Sequence, residues 1–292
     1  MTKEFTFEAI GTHFWIEIFD EISNEQLAAT KARSELLCST FNQNYSRFRP
    51  DSQVSILNLE RVFKNPGEEL CELLMYGRAF YLRSQGLFNP LVGHILEARG
   101  YDADYSFTAK DAADELKFCN PLTDLIISEH EITLTCGNLD LGGYGKGYLI
   151  DRLAEDFLTH GIKHFLINGG GDMYGTSMRD GEAITIYLEH PTETSQYLME
   201  TTILNQGFAA SSPFKRQWSH KERLYTHIIA ESEVPKLATF VKAKNAIEAD
   251  VFATVSLLLP ETSLTALATT ENFTVARFDP ETKQLWRTSN FN

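Results

Sequence analysis

Near the start of the chain, apolar and polar residues alternate as in β-strands. Residues 5–19, FTFEAIGTHFWIEIF, alternate on both sides of Gly11. This predicts two strands joined by a turn. Ser23 and Gln26 then match a capping box, which predicts a helix from there to about Asn44.

Three later segments place apolar residues at helical spacing, and each is predicted to be a helix. The first is residues 66–86, with Gly86 as its expected C-terminal cap. The second follows a glycine-rich stretch and ends at Gly161, and the third spans residues 247–260.

The other patterned segments predict loops and strands. A polar loop is expected over residues 45–58 and a turn-rich loop over residues 87–93. Further strands are expected at residues 127–135 (a hairpin), 164–172 (a strand entering a glycine turn), 183–189, 198–210 and, as the last strand, 273–279. Because strands and helices do not alternate regularly, the pattern favours an α+β fold rather than a doubly wound parallel sheet. The length allows one large domain or two modest ones.

Composition narrows the class of partner. The chain of 292 residues is 43% hydrophobic and 23% charged, as in globular proteins. Its formal net charge of −14 argues against general nucleic-acid binding and against docking on anionic membranes. An anionic ligand held in a local pocket stays compatible with this charge.

Cysteine usage and the N-terminal sequence indicate a compartment. The four cysteines, Cys38, Cys71, Cys119 and Cys136, form no C-x-x-C pair. Reduced thiols in an intracellular protein are therefore favoured, although the sequence does not exclude disulfides. Residues 1–19 contain acidic side chains and no apolar run of signal-peptide length, so we expect a cytoplasmic protein without a membrane anchor. The sequence does not predict the oligomeric state.

The stretch LDLGGYGKGYLID, residues 139–151, places four glycines and a lysine directly before a helical pattern. Each glycine costs conformational entropy, which a close approach of the backbone to another group can offset. Since a helix N-terminus favours an anion, the stretch suits an anionic ligand, but a plain strand-to-helix turn explains it as well. It is not a P-loop, because Lys146 is followed by glycine.

Two further motifs suit a ligand and also have simpler explanations. NGGGD, residues 168–172, directly follows a predicted strand and allows a ligand to approach the backbone, but a tight turn is an equal explanation. Asp250 and Thr254, in EADVFAT, share one helix face. A carboxylate and a hydroxyl suit a hard cation such as Mg²⁺, whereas a lone pair of this kind is more often an ordinary surface pair.

Basic and imidazole side chains occur in two more segments. Arg47 and Arg49 are interleaved with aromatic residues in YSRFRPDS, a combination that suits phosphate recognition or stacking, or a solvated loop. His227 lies between an aromatic residue and two isoleucines in YTHII. A histidine in that setting is by default a core residue with its hydrogen bonds satisfied.

The order of these segments resembles the flavin transferases of the ApbE type (FAD:protein FMN transferases). The similarity is carried by SRFRPDSQVSILN, FNPLVG, LDLGGYGKGYLID, LINGGGD, THII and ADVFAT, in that order. It runs from about Gly11 to the last predicted strand. The D-L-G-G-x-x-K-G-Y-x-x-D core and the A-D-x-x-A-T-like ending are specific to that family.

The resemblance implies a fold and an activity. The fold is a single α+β domain over residues 1–292, with mixed, mainly antiparallel sheets and packed helices, related to the tunnelling fold. The enzymes bind FAD and a divalent metal, usually Mg²⁺. They split the FAD pyrophosphate, move the FMN moiety to a threonine hydroxyl of a target flavoprotein, and release AMP.

The resemblance also implies roles for residues of this chain. The metal ligands are the side chains of Asp250 and Thr254 and the main-chain carbonyl of Gly145, where the family usually has alanine. His227 matches a family histidine that handles a proton, and it is predicted to be catalytic together with Lys146. The residues expected to bind the pyrophosphate, the nucleotide and the flavin are Arg47, Phe48, Asn89, Asp140, Gly142, Gly143, Tyr144, Lys146, Asn168, Gly170 and Asp172.

Two departures from the family pattern keep alternatives open. The D-P-x-T-G that usually follows the histidine motif is absent, and Ala230 and Glu231 stand in the Asp-Pro positions. An S-G pair of the family reads Ser212-Pro213 here. The alternatives are an FAD pyrophosphatase that gives FMN and AMP, and a non-catalytic FAD-binding protein.

Overall fold

The computed structural model describes residues 2–193 and 195–292. Its α-helices are α1 Asn24–Tyr45, α2 Gln53–Glu60, α3 Glu68–Arg83, α4 Gly93–Ala98, α5 Pro121–Asp124, α6 Gly145–Thr159, α7 Ala246–Leu258 and α8 Glu261–Glu271. Its strands are β1 Lys3–Ala9, β2 Thr12–Ile18, β3 Val62–Lys64, β4 Leu125–Ile127, β5 Glu131–Leu134, β6 Phe165–Gly169, β7 Asp172–Gly175, β8 Ile184–Glu189, β9 Tyr197–Ile203, β10 Gln206–Ser211, β11 Gln217–His220, β12 Arg223–Thr226, β13 Ala238–Ala243, β14 Thr274–Asp279 and β15 Gln284–Arg287. A short 3₁₀ helix covers Ala113–Glu115.

The chain divides into two compact units. The first unit comprises Met1–Asn42, Tyr144–Ser212 and Lys236–Asn292. The second unit comprises Gln43–Gly143 and Pro213–Pro235. The division falls inside the glycine-rich stretch, between its second glycine and Tyr144, so each unit contributes part of the residues expected to carry function.

The first unit is built on an antiparallel sheet of eight strands in the order β1-β2-β6-β7-β10-β13-β14-β15. A hairpin of β8 and β9 belongs to the same unit. On one side, alternate apolar side chains of these strands form a core around Leu188, Ile203, Phe240 and Phe291. This alternation is what the pattern of the first strands predicts, and it leaves the other side chains of each strand for the helices or solvent.

Helices α6 and α7 also belong to the first unit. The apolar face of α6 contains Leu149, Leu153 and Phe157, all fully buried. α7 is buried along most of its length and packs against β10 and β13. Its N-terminus is capped by Asn245, whose side chain accepts the N–H of Glu248 over 3.1 Å.

The second unit contains the small sheet β3-β5-β4, the hairpin β11–β12 and the helices α2 to α5. Its hairpin carries Trp218 and Tyr225, which lie opposite each other in register. These rings pack with Tyr101 of the same unit. Aromatic contacts therefore join the hairpin to the rest of the second unit.

Most predicted elements are confirmed. The capping box begins α1, where the backbone N–H of Ser23 donates to Gln26 and the N–H of Gln26 donates to the Ser23 hydroxyl. Gly86 follows α3 with a φ of 87° and donates its N–H to the Tyr81 carbonyl over 2.8 Å. The α+β class with mainly antiparallel sheets is confirmed as well. Whether the chain is one domain stays a prediction.

Two predictions about elements are wrong. The polar loop expected over residues 45–58 ends early, because Ser52 caps the N-terminus of α2 by accepting the N–H of Ser55 over 3.0 Å. The segment 273–279 is not the last strand, since β15 pairs with it antiparallel. In that hairpin the side chain of Asp279 accepts the N–H groups of Glu281 and Thr282, which stabilises the turn between the strands.

The cysteine prediction also needs correction. Cys119 and Cys136 form a disulfide in the second unit, whereas Cys38 and Cys71 are free thiols. The two bonded residues flank α5 and the β4–β5 hairpin, which brings them together although they are 17 positions apart. Spacing along the sequence does not reveal such a contact. Among the described residues, no helix combines the length and the apolar character needed to cross a bilayer.

Candidate active site

In the first unit, Lys146 lies between two aspartates. It is the second residue of α6, and its Nζ forms an ion pair with Asp172 and lies 3.4 Å from Oδ2 of Asp250. Only 6% of the Asp172 side chain and 9% of the Asp250 side chain are exposed. Since one ammonium faces two buried carboxylates, the cluster keeps a negative charge that favours a further cation.

Asp250 is held by backbone as well as by charge. Its Oδ2 accepts the N–H of Gly147 over 3.1 Å. Burial raises the pKa of the Asp250 carboxyl, the neighbouring Asp172 also raises it, and the Lys146 ammonium opposes both. A metal cation bound at this carboxylate would stabilise its charged form, which burial disfavours.

Gly147 brings α6 and α7 into contact. A Cβ at this position would lie 2.5 Å from Cα of Ile247 and 2.6 Å from the carbonyl oxygen of Ala246. No side chain fits there without separating the two helices. In this part of the stretch, the close approach that glycine permits is therefore an approach to α7.

Thr254 follows Asp250 by one turn on α7. Its Oγ1 lies 3.4 Å from Oγ of Ser211, at the end of β10. Thr239 donates its hydroxyl to the carbonyl of Ala253 over 2.6 Å and is fully buried. Ser211 and Thr239 could not be selected from the sequence, because only their contacts in the fold connect them with α7.

The three groups predicted as metal ligands are chemically suited to a hard divalent cation. A carboxylate of Asp250, a hydroxyl of Thr254 and the main-chain carbonyl of Gly145 are all oxygen donors, the type that Mg²⁺ prefers. The ammonium of Lys146 already lies against Asp250, so the site accommodates positive charge. Gly145 is the buried first residue of α6.

The NGGGD segment forms the turn between β6 and β7. Gly169 pairs with Asp172, and Gly170 and Gly171 between them have φ values of 74° and 103°. This is a conformation that favours glycine. Asn168 accepts the N–H of Gly171 over 2.8 Å. The turn therefore accounts for Asn168 and Gly170, whereas Asp172 directly after it reaches Lys146.

In the second unit, Arg47 is a buried cation with protein partners. Only 4% of its side chain is exposed. Its guanidinium forms an ion pair with Asp140, lies 3.7 Å from Glu97, and donates to the carbonyl of Tyr101 over 2.8 Å. It also lies 4.1 Å from the centroid of the Phe48 ring. Arg47 and Asp140 are therefore ion-pair partners within the second unit.

Phe48 forms part of a group of rings. It stacks on Tyr105 with centroids 5.2 Å apart and meets Tyr101 edge to face at 5.8 Å. Tyr105 is 46% exposed. A half-open set of aromatic faces beside a cation is suitable for a planar ligand, and the flavin contact of Phe48 stays a prediction.

The start of the glycine-rich stretch is fixed by local contacts. Asp140 accepts the N–H of Gly142 over 2.8 Å. A Cβ on Gly143 would lie 2.8 Å from Cε2 of Phe88. Tyr144, in the first unit, is fully buried and precedes α6. The local structure thus accounts for each of these residues without a ligand. Their contact with FAD stays a prediction.

Asn89 holds the turn-rich loop of the second unit. Its amide donates to the carbonyl of Cys119 over 2.8 Å, and its Oδ1 accepts the N–H of Leu91 over 2.9 Å. The loop is thereby tied to one end of the disulfide. A flavin contact at Asn89 would depend on this arrangement.

His227 is partly exposed, so it is not the core histidine that the sequence favoured by default. It directly follows β12, and its Nδ1 lies 3.3 Å from the carbonyl oxygen of Arg216. A carbonyl can only accept, so Nδ1 carries a proton in this contact, and in a neutral imidazole the lone pair is then on Nε2. That tautomer suits a general base acting through Nε2.

Comparisons with known proteins find similar chains. A protein of Rhodobacter capsulatus named FAD:protein FMN transferase is 29% identical over 171 residues, which is 56% of this chain and 32% of that protein. The chain therefore matches about a third of that relative. A protein of Escherichia coli K12 with the same name is 20% identical over 86% of this chain and 77% of its own length.

Solved structures show the same fold. The ApbE protein of Thermotoga maritima superposes with a TM-score of 0.88 at 18% identity, over 99% of this chain and 97% of that one. The flavin transferase ApbE of Vibrio cholerae gives a TM-score of 0.78 at 18% identity, over 100% and 98% of the two chains. The model of the ApbE family matches residues 10–277. The chain belongs to the ApbE family.

Proposed function

We propose that this protein is an Mg²⁺-dependent FAD:protein FMN transferase, which moves the FMN moiety of FAD to a threonine hydroxyl of a target flavoprotein and releases AMP. The observation that carries the proposal is the buried Asp172–Lys146–Asp250 cluster at the first turn of α6. Membership of the ApbE family, whose named relatives are flavin transferases, supports the reaction type.

The metal would be held by the Asp250 carboxylate, the Thr254 hydroxyl and the Gly145 carbonyl. When bound, it supplies positive charge to the pyrophosphate oxygens. Lys146 would then exchange part of its contact with Asp250 for a phosphate oxygen while keeping Asp172 as its partner. The N-terminal amides of α6 add donors, since a helix N-terminus favours an anion.

In the transfer step, one P–O bond forms, another breaks, and a histidine of this chain would accept the proton that is released. The acceptor threonine oxygen attacks the phosphorus of the FMN moiety, a new P–O bond forms, and the bond to the bridging oxygen breaks, so that AMP leaves. His227 would take the hydroxyl proton at Nε2, with Nδ1 fixed by the Arg216 carbonyl. Positioning and charge stabilisation then account for most of the rate.

Hydrolysis of FAD by water is the second candidate, and the altered segment after His227 motivates it. Ala230 and Glu231 stand where the family usually has Asp-Pro. If this segment no longer accepts a target threonine, water is the remaining nucleophile and the products are FMN and AMP.

Product analysis separates the candidates. Purified protein is incubated with FAD and Mg²⁺, with and without a polypeptide that bears an acceptor threonine, and FMN, AMP and flavin on the polypeptide are quantified. A transferase releases AMP in step with flavin on the polypeptide. Free FMN without acceptor indicates the pyrophosphatase, and the absence of all products with FAD bound indicates a binding protein.

The cytoplasmic location stays a prediction. The Cys119–Cys136 disulfide argues against it, because disulfides persist mainly in oxidising compartments. Fractionation of the native host, with detection of the protein in each compartment, tests the location directly.

A further inference from the structure

We infer that Asp151 is a positioning residue for the metal site: its carboxylate, carried by α6, fixes the first turn of α7 and thereby the placement of Asp250 and Thr254. The inference rests on the proposed function, since it takes these two residues as metal ligands. Asp151 itself touches neither the metal nor FAD in this account.

The contact is made by both oxygens of the carboxylate. Oδ1 of Asp151 accepts the N–H of Ala246 over 2.8 Å, and Oδ2 accepts the N–H of Ile247 over 2.9 Å. These are the first two residues of α7, whose N–H groups have no partner within their own helix. The third is satisfied by Asn245, through the N–H of Glu248. The start of α7 is thus capped partly by its own sequence and partly by α6.

Asp151 acts together with Gly147, which precedes it by one turn on α6. Gly147 allows the backbones of the two helices to touch near Ile247 and donates its N–H to Asp250. Residues four apart share one face of a helix. The same face of α6 therefore sets the separation of the helices at Gly147 and holds the end of α7 at Asp151.

The chemistry of the contact requires a carboxylate. Two parallel N–H donors need two acceptor oxygens, and an asparagine supplies one oxygen and one NH₂ group, which would face a donor. One N–H of α7 would then be left without a partner. A carboxylate also interacts favourably with the positive end of the helix dipole.

A displaced start of α7 would change the positions of the predicted metal ligands. Asp250 and Thr254 are on the second and third turns of α7, so a shift of its first turn moves both oxygens together. Mg²⁺ demands near-ideal octahedral geometry with short ligand distances. A residue that orients metal ligands without touching the metal typically changes metal affinity by about 10–100-fold.

The test is the affinity of the full chain for Mg²⁺ alone, measured by calorimetry without FAD, for wild type and Asp151→Asn. We expect the Kd for Mg²⁺ to rise by about 10–100-fold. Asp20→Asn is the control, because Asp20 also accepts two successive backbone N–H groups, of Lys163 and His164, over 2.5 and 2.9 Å, but with the single oxygen Oδ2. An asparagine supplies one such oxygen, so this variant should leave the Kd for Mg²⁺ unchanged.

The outcomes are distinguishable. An Asp151→Asn protein that is folded and binds Mg²⁺ within about threefold of wild type, well below the effect of a ligand-orienting residue, overturns the inference. If that variant does not fold, Asp151→Ser, which keeps one acceptor, is judged by the same threshold. Asp250→Asn is measured in parallel: if it still binds Mg²⁺ like wild type, the metal site of the proposed function is wrong, whatever Asp151 does.

Discussion

Gly147 donates its backbone N–H to Oδ2 of Asp250 over 3.1 Å, so the first turn of α6 directly positions a carboxylate of α7. The neighbouring residue, Lys146, reaches the same oxygen with its ammonium at 3.4 Å. Two adjacent residues of the glycine-rich stretch thus contact one carboxylate, one through the main chain and one through the side chain. The stretch therefore sets both the position of this carboxylate and the charge next to it.

Gly147→Ala should damage the metal site through the backbone. The added Cβ would lie 2.5 Å from Cα of Ile247, so α6 and α7 must separate and the N–H contact to Asp250 lengthens. We expect a loss of stability of at least about 1–3 kcal/mol, the usual range for overpacking, together with weaker Mg²⁺ binding. Chemical denaturation and calorimetry measure the two effects.

The control for this variant is Gly67→Ala. Gly67 has a φ of −70° and no atom within 4 Å of an added Cβ. Its substitution should leave Mg²⁺ binding unchanged and cost less stability than Gly147→Ala, since Gly67 is the N-cap of α3 and no clash arises there. A Gly147→Ala protein as stable as the Gly67→Ala protein would show that the helices do not approach each other as described.

Stability should depend on pH through Asp151. Burial raises the pKa of this carboxyl to about 7, while the hydrogen bonds from Ile247 and Ala246 oppose the shift. The unfolded pKa is about 3.9. The folded state therefore holds the proton of Asp151 more tightly than the unfolded state does. The part of the stability that comes from this proton is fully present below about pH 4 and is lost as the pH rises through about 7.

The measurement is the free energy of unfolding from urea titrations at pH 5 and pH 8. Wild type should lose more stability over this interval than Asp151→Asn, by up to about 1.4 kcal/mol per pH unit below the folded pKa. Partial solvent access makes the real difference smaller than this limit. Parallel pH profiles for the two proteins would refute the assignment of this slope to Asp151.

The disulfide should stabilise the second unit. Cys119 and Cys136 close a loop with a sequence separation of 17, for which the chain-entropy contribution is about 3 kcal/mol. Reducing agent should therefore lower the melting temperature of wild type. A Cys119→Ala/Cys136→Ala protein should melt at the lower temperature with or without reductant, and Cys71→Ser should behave as wild type. Identical melting of oxidised and reduced wild type would contradict the bond.

His227→Gln should slow the chemical step. If Nε2 accepts the threonine proton, its loss reduces the single-turnover rate of flavin transfer by roughly 10²–10⁴-fold. FAD affinity should hardly change, because the pyrophosphate contacts are assigned to other residues. His220, on β11 of the same hairpin, provides the control His220→Gln with an unchanged rate. A His227→Gln rate within about threefold of wild type, far below the range for general base catalysis, would remove His227 from the mechanism.

Local chemistry explains which parts of the fold the sequence predicts. The capping box of Ser23 and Gln26 forms as expected, because both partners lie within one turn. The helix after residue 52 is missed because its cap, Ser52, is hidden in a polar segment. β11, β12 and β13 are missed as well, since their pairing partners supply the information that their short sequences lack.

Spacing and composition alone predicted the candidate site only as separate residues, and the family resemblance supplied their grouping. The face shared by Asp250 and Thr254 follows from their spacing, whereas the contacts of Lys146 with Asp172 and Asp250 join residues 26 and 104 positions apart. The partners of Arg47 were equally hidden, because a loop arginine gives no sign that Asp140 will neutralise it. Asp151 could have been noticed as the last residue of the glycine-rich motif, but its partners are backbone groups.

The central claim is tested most directly by the intact mass of a threonine-bearing acceptor after incubation with this protein, FAD and Mg²⁺. The account predicts that the acceptor gains the mass of one FMN moiety, that AMP appears in equal amount, and that chelation of Mg²⁺ or Asp250→Asn reduces both products by orders of magnitude. An acceptor of unchanged mass, or a gain that persists at the wild-type rate in the Asp250→Asn protein with saturating Mg²⁺, would contradict it.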